Sequence, residues 1–459
     1  MTVTLRSRWP VITLAFVILL SGPTAVSPQE RDTRGPEGER VSTEDEATLK
    51  RLAESRFIIG DMKGALDALN EIDAPRVGTV KVEGLVRSNR TLVNDYLGLQ
   101  PGELFTAEKL VRIERRLDEL PVASSGKVRF DPEGKVATVT PIVFERAPFP
   151  TAPMDWLPAG VRAAFLKEVR IDISDVAGWG EMWQPAYRWD RNRPRVLLRF
   201  NVPAPGKLPG VFRLETFWDR QAYEVPSLGS EPVRQSRVRA GAALSDWVAS
   251  WLRLEGAVAV DRIDVTNYVE LGGNLNTRAL GNRLAVILTG GRWFSTGQDS
   301  SFADGELVVT VRSTSQPDVP VLTALAGLAA SSQTAPLALW PGASAGQGRG
   351  VQLRARQLLR DGIVTGEVFG RQLLFMTMEY VHPIQTTIGP VGLAAFVDSA
   401  QARSRLDPTR SSRLHVDVGV GVRMNTSRSG NAVRLDVGYG LRDGGKRVSA
   451  GYVMPWGQR

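Results

Sequence analysis

The feature that most constrains this chain is a two-residue alternation of apolar and polar residues, repeated from about residue 165 to the C-terminus. Val196, Leu198, Phe200 and Val202 alternate with Arg195, Leu197, Arg199 and Asn201. Val416, Val418, Val420 and Val422 face away from His415, Asp417, Gly419, Gly421 and Arg423, and Leu435, Val437, Tyr439 and Leu441 from Arg434, Asp436, Gly438, Gly440 and Arg442. Successive side chains of a strand point to opposite faces, so each such run is a strand with one greasy and one charged side. Two architectures accept that pattern. A soluble sandwich buries the greasy side, whereas a membrane barrel turns it to lipid and keeps the charges in the lumen. Runs of about 9–11 residues or more match a tilted bilayer crossing. Trp218, Trp247, Trp293, Tyr380 and Trp456 lie near strand ends, as in an interfacial girdle. The expectation is a mainly β fold: a transmembrane antiparallel β-barrel of about 16 strands over 160–459. Asp and Glu on the inward faces should then pair with the many inward arginines.

The N-terminus agrees with export. Arg6 and Arg8 precede an apolar run from Val11 to Leu20 and then small residues, the pattern of a secretory signal over 1–27. An uncleaved interfacial anchor is the alternative. No later stretch reaches the roughly 18 apolar residues of a membrane helix. Residues 28–43 are polar and read as a linker. Residues 44–75 show helical spacing twice (Leu49, Leu52, Phe57, then Ala65, Leu66, Leu69), broken at Gly60–Asp61, which predicts a helical hairpin. The chain has no cysteine and two histidines, which excludes disulfide and thiolate chemistry and argues against a histidine-rich metal centre. The net charge of +8 is scattered along the chain, not gathered into a patch or tail, so nucleic acid is not an expected partner.

Residues 76–147 read as a small α+β domain in the order β-α-α-β-β. A strand around Val80 and Val82 ends at Gly84. A short helix spans Leu92 to Leu97, and a second is capped by Thr106 and carries Leu110, Ile113, Leu117 and Leu120 on one face. A hairpin follows, Lys127 to Phe130 and Val136 to Phe144, turning at Asp131-Pro132-Glu133-Gly134. Val-Glu-Gly at 82–84, Leu-Gln-Pro-Gly at 99–102, the helix before Leu120 and the closing strand ending in Glu145-Arg146 make this unit similar to the polypeptide-transport-associated (POTRA) domain. The resemblance implies an exposed sheet edge at the first hairpin strand, with Val128 and Phe130, to which an unfolded or secreted polypeptide adds a strand.

One long segment, about 336–369, breaks the strand rhythm and carries Leu353-Arg354-Ala355-Arg356. Farther on, Phe396, Asp398 and Ala400 share one face of a strand. With GPVGLAAFVDSA and the ending VRLDVGYGLRDGGKRVSAGYVMPW, these motifs resemble the assembly-barrel superfamily of the BamA and TamA insertases and the two-partner secretion transporters. In that family a long loop folds into the lumen, and an arginine at its tip pairs with an inward Phe-x-Asp strand. The resemblance implies a lock of Arg354 on Asp398 and Phe396. Ala355 and Ala400 stand where the family has glycine, and Arg356 where it has an aromatic residue. The family's terminal strand signal would be Tyr452 and Trp456. Also implied are a bacterial outer-membrane location with the POTRA unit in the periplasm, polypeptide clients, a surrounding lipid bilayer, a monomeric barrel and no cofactor.

Two rival chemistries stay open at this point. Gly342-Ala343-Ser344-Ala345-Gly346 fits a serine-hydrolase pentapeptide, with Asp398 and His415 following in order, but needs a strand-to-helix elbow. A passive, anion-leaning pore needs only an arginine-lined lumen.

Overall fold

The computed structural model describes residues 43–151, 153–206, 208–225, 231–316, 319–345, 351–365, 368–386, 389–405, 413–425 and 432–453. The expected signal segment 1–27, residues 28–42 of the expected linker, Gly346 and Trp456 lie outside the described residues.

Two helices, α1 (Thr43–Ile58) and α2 (Met62–Asn70), form the hairpin. Its break falls at Gly60–Asp61, where Gly60 has a φ of 81° and the Asp61 carboxylate caps α2 by accepting from the Gly64 N–H at 2.9 Å. The next elements are β1 (Arg76–Val80), α3 (Arg90–Leu97), α4 (Ala107–Glu119), β2 (Ala123–Glu133) and β3 (Val136–Glu145). Thr106 caps α4, accepting from the Lys109 N–H at 3.2 Å. The sheet order is β1-β3-β2, with β1 parallel and β2 antiparallel to the central β3. Leu66 of the hairpin joins Phe105, Leu117, Phe130 and Val139 in one core. Phe57 and Phe105 meet the Phe130 ring edge-on at 5.5 and 5.6 Å. A lone helical hairpin cannot bury its apolar face, and here it shares the core of the sheet domain.

A helix that the sequence reading did not anticipate comes next: α5 (Pro153–Leu166), with Pro158 inside it. It overlaps the start of the expected barrel. The wall strands follow: β4 (Glu168–Arg170, resuming at Ile173–Ser174), β5 (Met182–Arg188), β6 (Arg195–Pro203), β7 (Val211–Tyr223) and β8 (Val233–Trp247). Then come β9 (Leu252–Ile263), β10 (Thr266–Ala279), β11 (Leu284–Ser295), β12 (Phe302–Arg312) and β13 (Val321–Ser331). After a long loop the wall resumes with β14 (Gly370–Thr386), β15 (Gly389–Arg405), β16 (His415–Asn425), β17 (Ala432–Gly440) and β18 (Lys446–Val453). These segments form one closed barrel. Counting β4 as one interrupted strand and leaving out the short loop segments, the described wall has 15 strands, close to the 16 expected.

The burial pattern decides between sandwich and barrel. Val420, Val437 and Val448 are more than half exposed, while Asp417 and Asp436 on the alternate positions are fully buried. A sandwich would show the reverse. Inward arginines find carboxylates as the pattern requires: Arg199 Nε donates to Glu215 at 2.7 Å, and Arg239 Nε donates to Glu270 at 2.7 Å while also bridging to Glu215 at 3.2 Å.

Successive wall strands pair antiparallel, so β4 and β18, neighbours at the seam of a 15-strand ring, run in the same direction. Helix α5 packs against both of them.

Two of the expected girdle aromatics do something else. Trp247 is buried where the α+β domain meets the barrel rim; its Nε1 donates to Glu119 at 2.9 Å and the Arg115 guanidinium stacks on it at 4.4 Å. Trp293 is buried under the long loop, stacked on Phe302 at 5.2 Å, with Nε1 donating to Asp261 at 2.9 Å. Both indoles carry an N–H that needs a partner once buried, and each finds a carboxylate. Trp218 and Tyr380 are exposed, as a lipid-facing position requires.

The α+β domain is clamped to the rim by α4. Arg116 forks onto Asp246 (Nε 2.9 Å, Nη2 2.7 Å), Arg112 Nε donates to the Trp247 carbonyl at 2.6 Å, and Arg253 Nε donates to Glu119 at 2.9 Å. A second contact joins Ser88 Oγ to Asp175 at 2.8 Å. Residues of this domain and of the wall together line one chamber of about 1270 Å³, roofed by Ala338, Leu339, Leu358 and Val364 of the long loop.

Candidate functional site: a loop tip held inside the barrel

The long loop between β13 and β14 folds inward because its own residues make it greasy. Trp340, Leu358, Leu359, Val364 and Phe369 join Tyr223, Tyr268, Trp293 and Phe302 of the wall in one buried cluster. Phe369 stacks between Tyr223 and Trp340 at 5.9 and 5.8 Å. Farther in, Val351 and Leu353 pack with Leu373, Phe375 and Ala400. The tip is a tight turn in which Arg356 N–H donates to the Leu353 carbonyl at 3.1 Å. Ala355 is not among the residues with positive φ, so alanine in place of the family's glycine carries no backbone strain.

The structure brings Arg354, Asp398 and Phe396 together. Arg354 is fully buried, and it donates to Asp398 through Nε (2.7 Å), Nη2 (2.9 Å) and its backbone N–H (3.2 Å). This is a fork that uses both carboxylate oxygens. The guanidinium carbon also sits over the Phe396 ring, 3.5 Å from its centroid. Glu379 and Asp436 lie nearby and add to the negative charge around Arg354, Asp436 at 3.8 Å.

Around this pair lies a shell that motif reading did not single out. Glu379 on β14 accepts from Arg354 Nη1 and from Arg423, whose Nε stands at 3.0 Å. Asp436 accepts from Arg423 Nη1 at 2.6 Å and from Arg434, whose Nη2 reaches the loop at the Ala345 carbonyl, 3.3 Å away. Asp417 accepts from the Ala355 N–H at 2.8 Å and pairs with Arg356 at 3.2 Å; Arg356 continues to Asp443 at 3.0 Å. Where the family resemblance places an aromatic residue, this chain therefore carries a second inward cation with two carboxylates to meet it.

Glycine makes the room. Gly419 stands opposite Phe396 and next to Gly438 in the strand register. A Cβ on Gly419 would come within 2.4 Å of the Phe396 ring, and one on Gly438 within 2.9 Å of the Arg354–Ala355 peptide. The row Phe396–Gly419–Gly438 is thus a trough: the ring lies over the first glycine and the loop tip over the second. The shell residues on the wall strands, Glu379, Asp417, Arg423, Arg434 and Asp436, sit on the charged side of the alternation, which was the available signal. Their pairing across four strands needed the register.

Other sequence candidates fall elsewhere. Phe130 is fully buried in the core of the α+β domain, beneath its helices, while Val128 on the same strand is half-buried. Strand β2 is an edge of its sheet, yet Phe130 supports that strand from inside and is not presented to a partner. Tyr452 lies in β18, paired with Val433. Ser344 belongs to a two-residue extended segment paired parallel with Val351–Gln352, and its carbonyl accepts from the Leu353 N–H at 2.8 Å. Among the described residues no helix begins there, and Ser344 sits on an extended segment, not on the strand-to-helix elbow that serine hydrolysis requires. Among the described residues no group of His, Cys, Asp and Glu is arranged to hold a metal.

A closed antiparallel barrel, an N-terminal α+β domain clamped to its rim and a loop tip anchored in the lumen define the class of this chain. The fold is that of the CdiB structures. CdiB from Escherichia coli is similar with a TM-score of 0.55 and 13% identity, over 96% of this chain and 94% of that one. CdiB from Acinetobacter baumannii is similar with a TM-score of 0.50 and 12% identity, over 91% and 87%. BamA from Haemophilus ducreyi lacking POTRA domains 1–3 gives a TM-score of 0.48 at 11% identity, over 82% and 84%. No family model matches the chain. No curated protein matches it in sequence.

Proposed function

We propose that this protein is an outer-membrane barrel that assists insertion or secretion of polypeptides, with the α+β domain acting as a periplasmic POTRA-type receiver. The observation that carries the reading is the loop tip: a fully buried arginine forked onto an inward aspartate, in a fold shared with the CdiB barrels along nearly the whole chain. A passive pore has no use for such a lock. Its arginine-lined lumen is also largely neutralised by ion pairs and covered by the loop above and the α+β domain below.

Strand β2 is the edge to which an extended client would add, through its backbone groups, with Val128 on that strand and Phe130 fixing it from beneath. The client would pass to the seam, where β18 and β4 meet beside α5. The Arg354–Asp398 lock, with Phe396, holds the loop across the lumen during this transfer. Nothing in the mechanism requires covalent chemistry, a metal or a cofactor.

Depletion of the protein followed by profiling of surface-exposed polypeptides tests the reading. Specific clients should disappear, and a chain with the α+β domain deleted should fail to restore them. Anion-selective conductance in planar bilayers together with an unchanged surface profile would establish the pore instead.

A further inference from the structure

On one side of the lumen five arginines gather around a single carboxylate. An alcove of about 80 Å³ opens off the chamber between α5, β4, β5 and β6, lined by Arg162, Arg170, Arg188, Arg195 and Arg199, with Glu168 as its one carboxylate. Each of the other arginines has an acidic neighbour. Arg162 and Arg188 both reach Glu168, the latter at 3.5 Å; Arg170 is 3.5 Å from Asp172; and Arg199 forks onto Glu215. Arg195 differs. It forms no ion pair among the described residues, although Asp219 faces it in the strand register. Its guanidinium lies over the Phe217 ring at 5.1 Å, with Arg237 on the same ring at 5.3 Å, and its Nε is buried without a hydrogen-bond partner. The Arg162 Nε, on the α5 side of the alcove, is buried and unpartnered as well.

A buried N–H without an acceptor is costly, and a buried cation without a counter-charge more so. Here two such donors converge on one alcove. A water needs roughly 10–15 Å³ of such space, so the alcove holds several waters or one tetrahedral anion. Guanidiniums arriving from a helix and three strands suit an oxyanion with acceptors in several directions; a planar carboxylate is already satisfied by a single arginine fork.

We propose that this alcove binds a phosphate group, with Arg195 as its principal ligand and Arg162, Arg170 and Arg188 around it. The alcove adjoins the seam, so the phosphate can belong to a lipid headgroup entering beside α5 or to a free phosphate arriving through the chamber.

The full chain in a phosphate-free detergent tests this, titrated with inorganic phosphate at constant ionic strength and read by thermal unfolding and ³¹P line broadening. Binding should saturate, and Arg195→Gln should weaken it by about tenfold or more, the loss expected for a charge-assisted hydrogen bond. Arg213→Gln, which removes a chamber arginine outside the alcove, should leave it unchanged. If Arg195→Gln fails to fold, Arg195→Lys serves, keeping the charge and losing the fork, and should bind more weakly than the parent chain. Native mass spectrometry of protein extracted from membranes separates the sources. A co-purifying phosphate-bearing lipid lost in Arg195→Gln identifies a headgroup; saturable free phosphate with no bound lipid identifies the free ion. Equal responses to phosphate and chloride, or binding indifferent to Arg195, would overturn the proposal.

Discussion

The chain contains two β-sheets that obey the same two-residue rhythm and assign opposite meanings to it. In the three-stranded sheet of the α+β domain, Phe130 and Val139 point inward and are fully buried, while Lys127 and Arg129 stay exposed. In the barrel the inward positions are Asp398, Asp417, Asp436 and Arg434, and the outward ones are Val420, Val437 and Leu435. Alternation alone says that a strand has two faces; the medium on each side says which face is the interior. The barrel also has to satisfy charge inside itself, which is why its lumen is held by forked arginine pairs where the small domain relies on close apolar packing.

That contrast breaks most sharply at the lock. Asp398→Ala removes the fork and leaves the buried Arg354 with Glu379 as its hydrogen-bonded carboxylate, and should lower barrel stability by about 3 kcal/mol, the low end for a broken buried pair. Replacing Arg354 as well, as in Arg354→Met with Asp398→Leu, should restore much of the loss, because an apolar pair leaves no charge uncompensated. Unfolding in detergent, followed by gel mobility, reads both; an Asp398→Ala barrel as stable as the parent would make the pair ornamental. A double variant that regains stability without regaining client delivery would assign the lock to function.

In the small domain the corresponding lesion is a cavity. Phe130→Ala should cost about 3–5 kcal/mol within that domain alone, since the ring fills the space between Phe57 and Phe105. Hydrogen exchange should rise across 76–145 and stay unchanged in the wall strands. Loss of protection in both regions would mean that the domain and barrel unfold as one unit.

On the outer face the sign reverses. Val437→Arg puts a cation on a surface that contains none of the lumen's carboxylates, and should cost about 2–4 kcal/mol if the site lies near the bilayer midplane. The same substitution on the exposed face of a soluble sheet would be nearly neutral. Refolding into lipid vesicles measures the difference.

The smallest effect lies at the joint between the two regions. Burial alone would raise the Glu145 carboxyl, but backbone N–H groups of Ser88 and Arg87 donate to it at 3.0 and 3.1 Å and hold it below the usual carboxylate range. A depressed carboxylate contributes stability that is present above its unfolded value and lost as pH falls through its folded one. Amide protection of residues 86–91 should therefore drop on acidification below about pH 4.5 and hold steady above it; a flat profile would remove Glu145 from the joint.

Much of this was legible from residue order. The period of two, the length of the runs and the charged inner faces carried the barrel. The Arg354, Asp398 and Phe396 motifs carried the tip of the loop, and Gly60–Asp61 marked the break in the hairpin. What escaped the reading depends on distance in space. Glu379, Arg423 and Asp436 join the lock only because four strands bring them into register. Gly419 and Gly438 look like ordinary strand glycines until a ring and a loop tip are laid over them. Trp247 and Trp293 sit at strand ends as a girdle would require, yet their indole N–H groups are spent on Glu119 and Asp261. Helix α5 was hidden by Pro158, a residue that argues against helix from sequence alone.

The direction in which the greasy face points can be measured directly, because the chain has no cysteine to interfere. Single Val420→Cys, Val437→Cys and Asn274→Cys variants, spin-labelled and reconstituted into vesicles, report collision with oxygen in lipid and with a nickel chelate in water. Labels at 420 and 437 should collide with oxygen and be shielded from nickel, and the chamber-lining position 274 should show the opposite. Nickel access at 420 and 437 equal to that at 274 would contradict a lipid-facing wall and return the strands to a water-soluble fold.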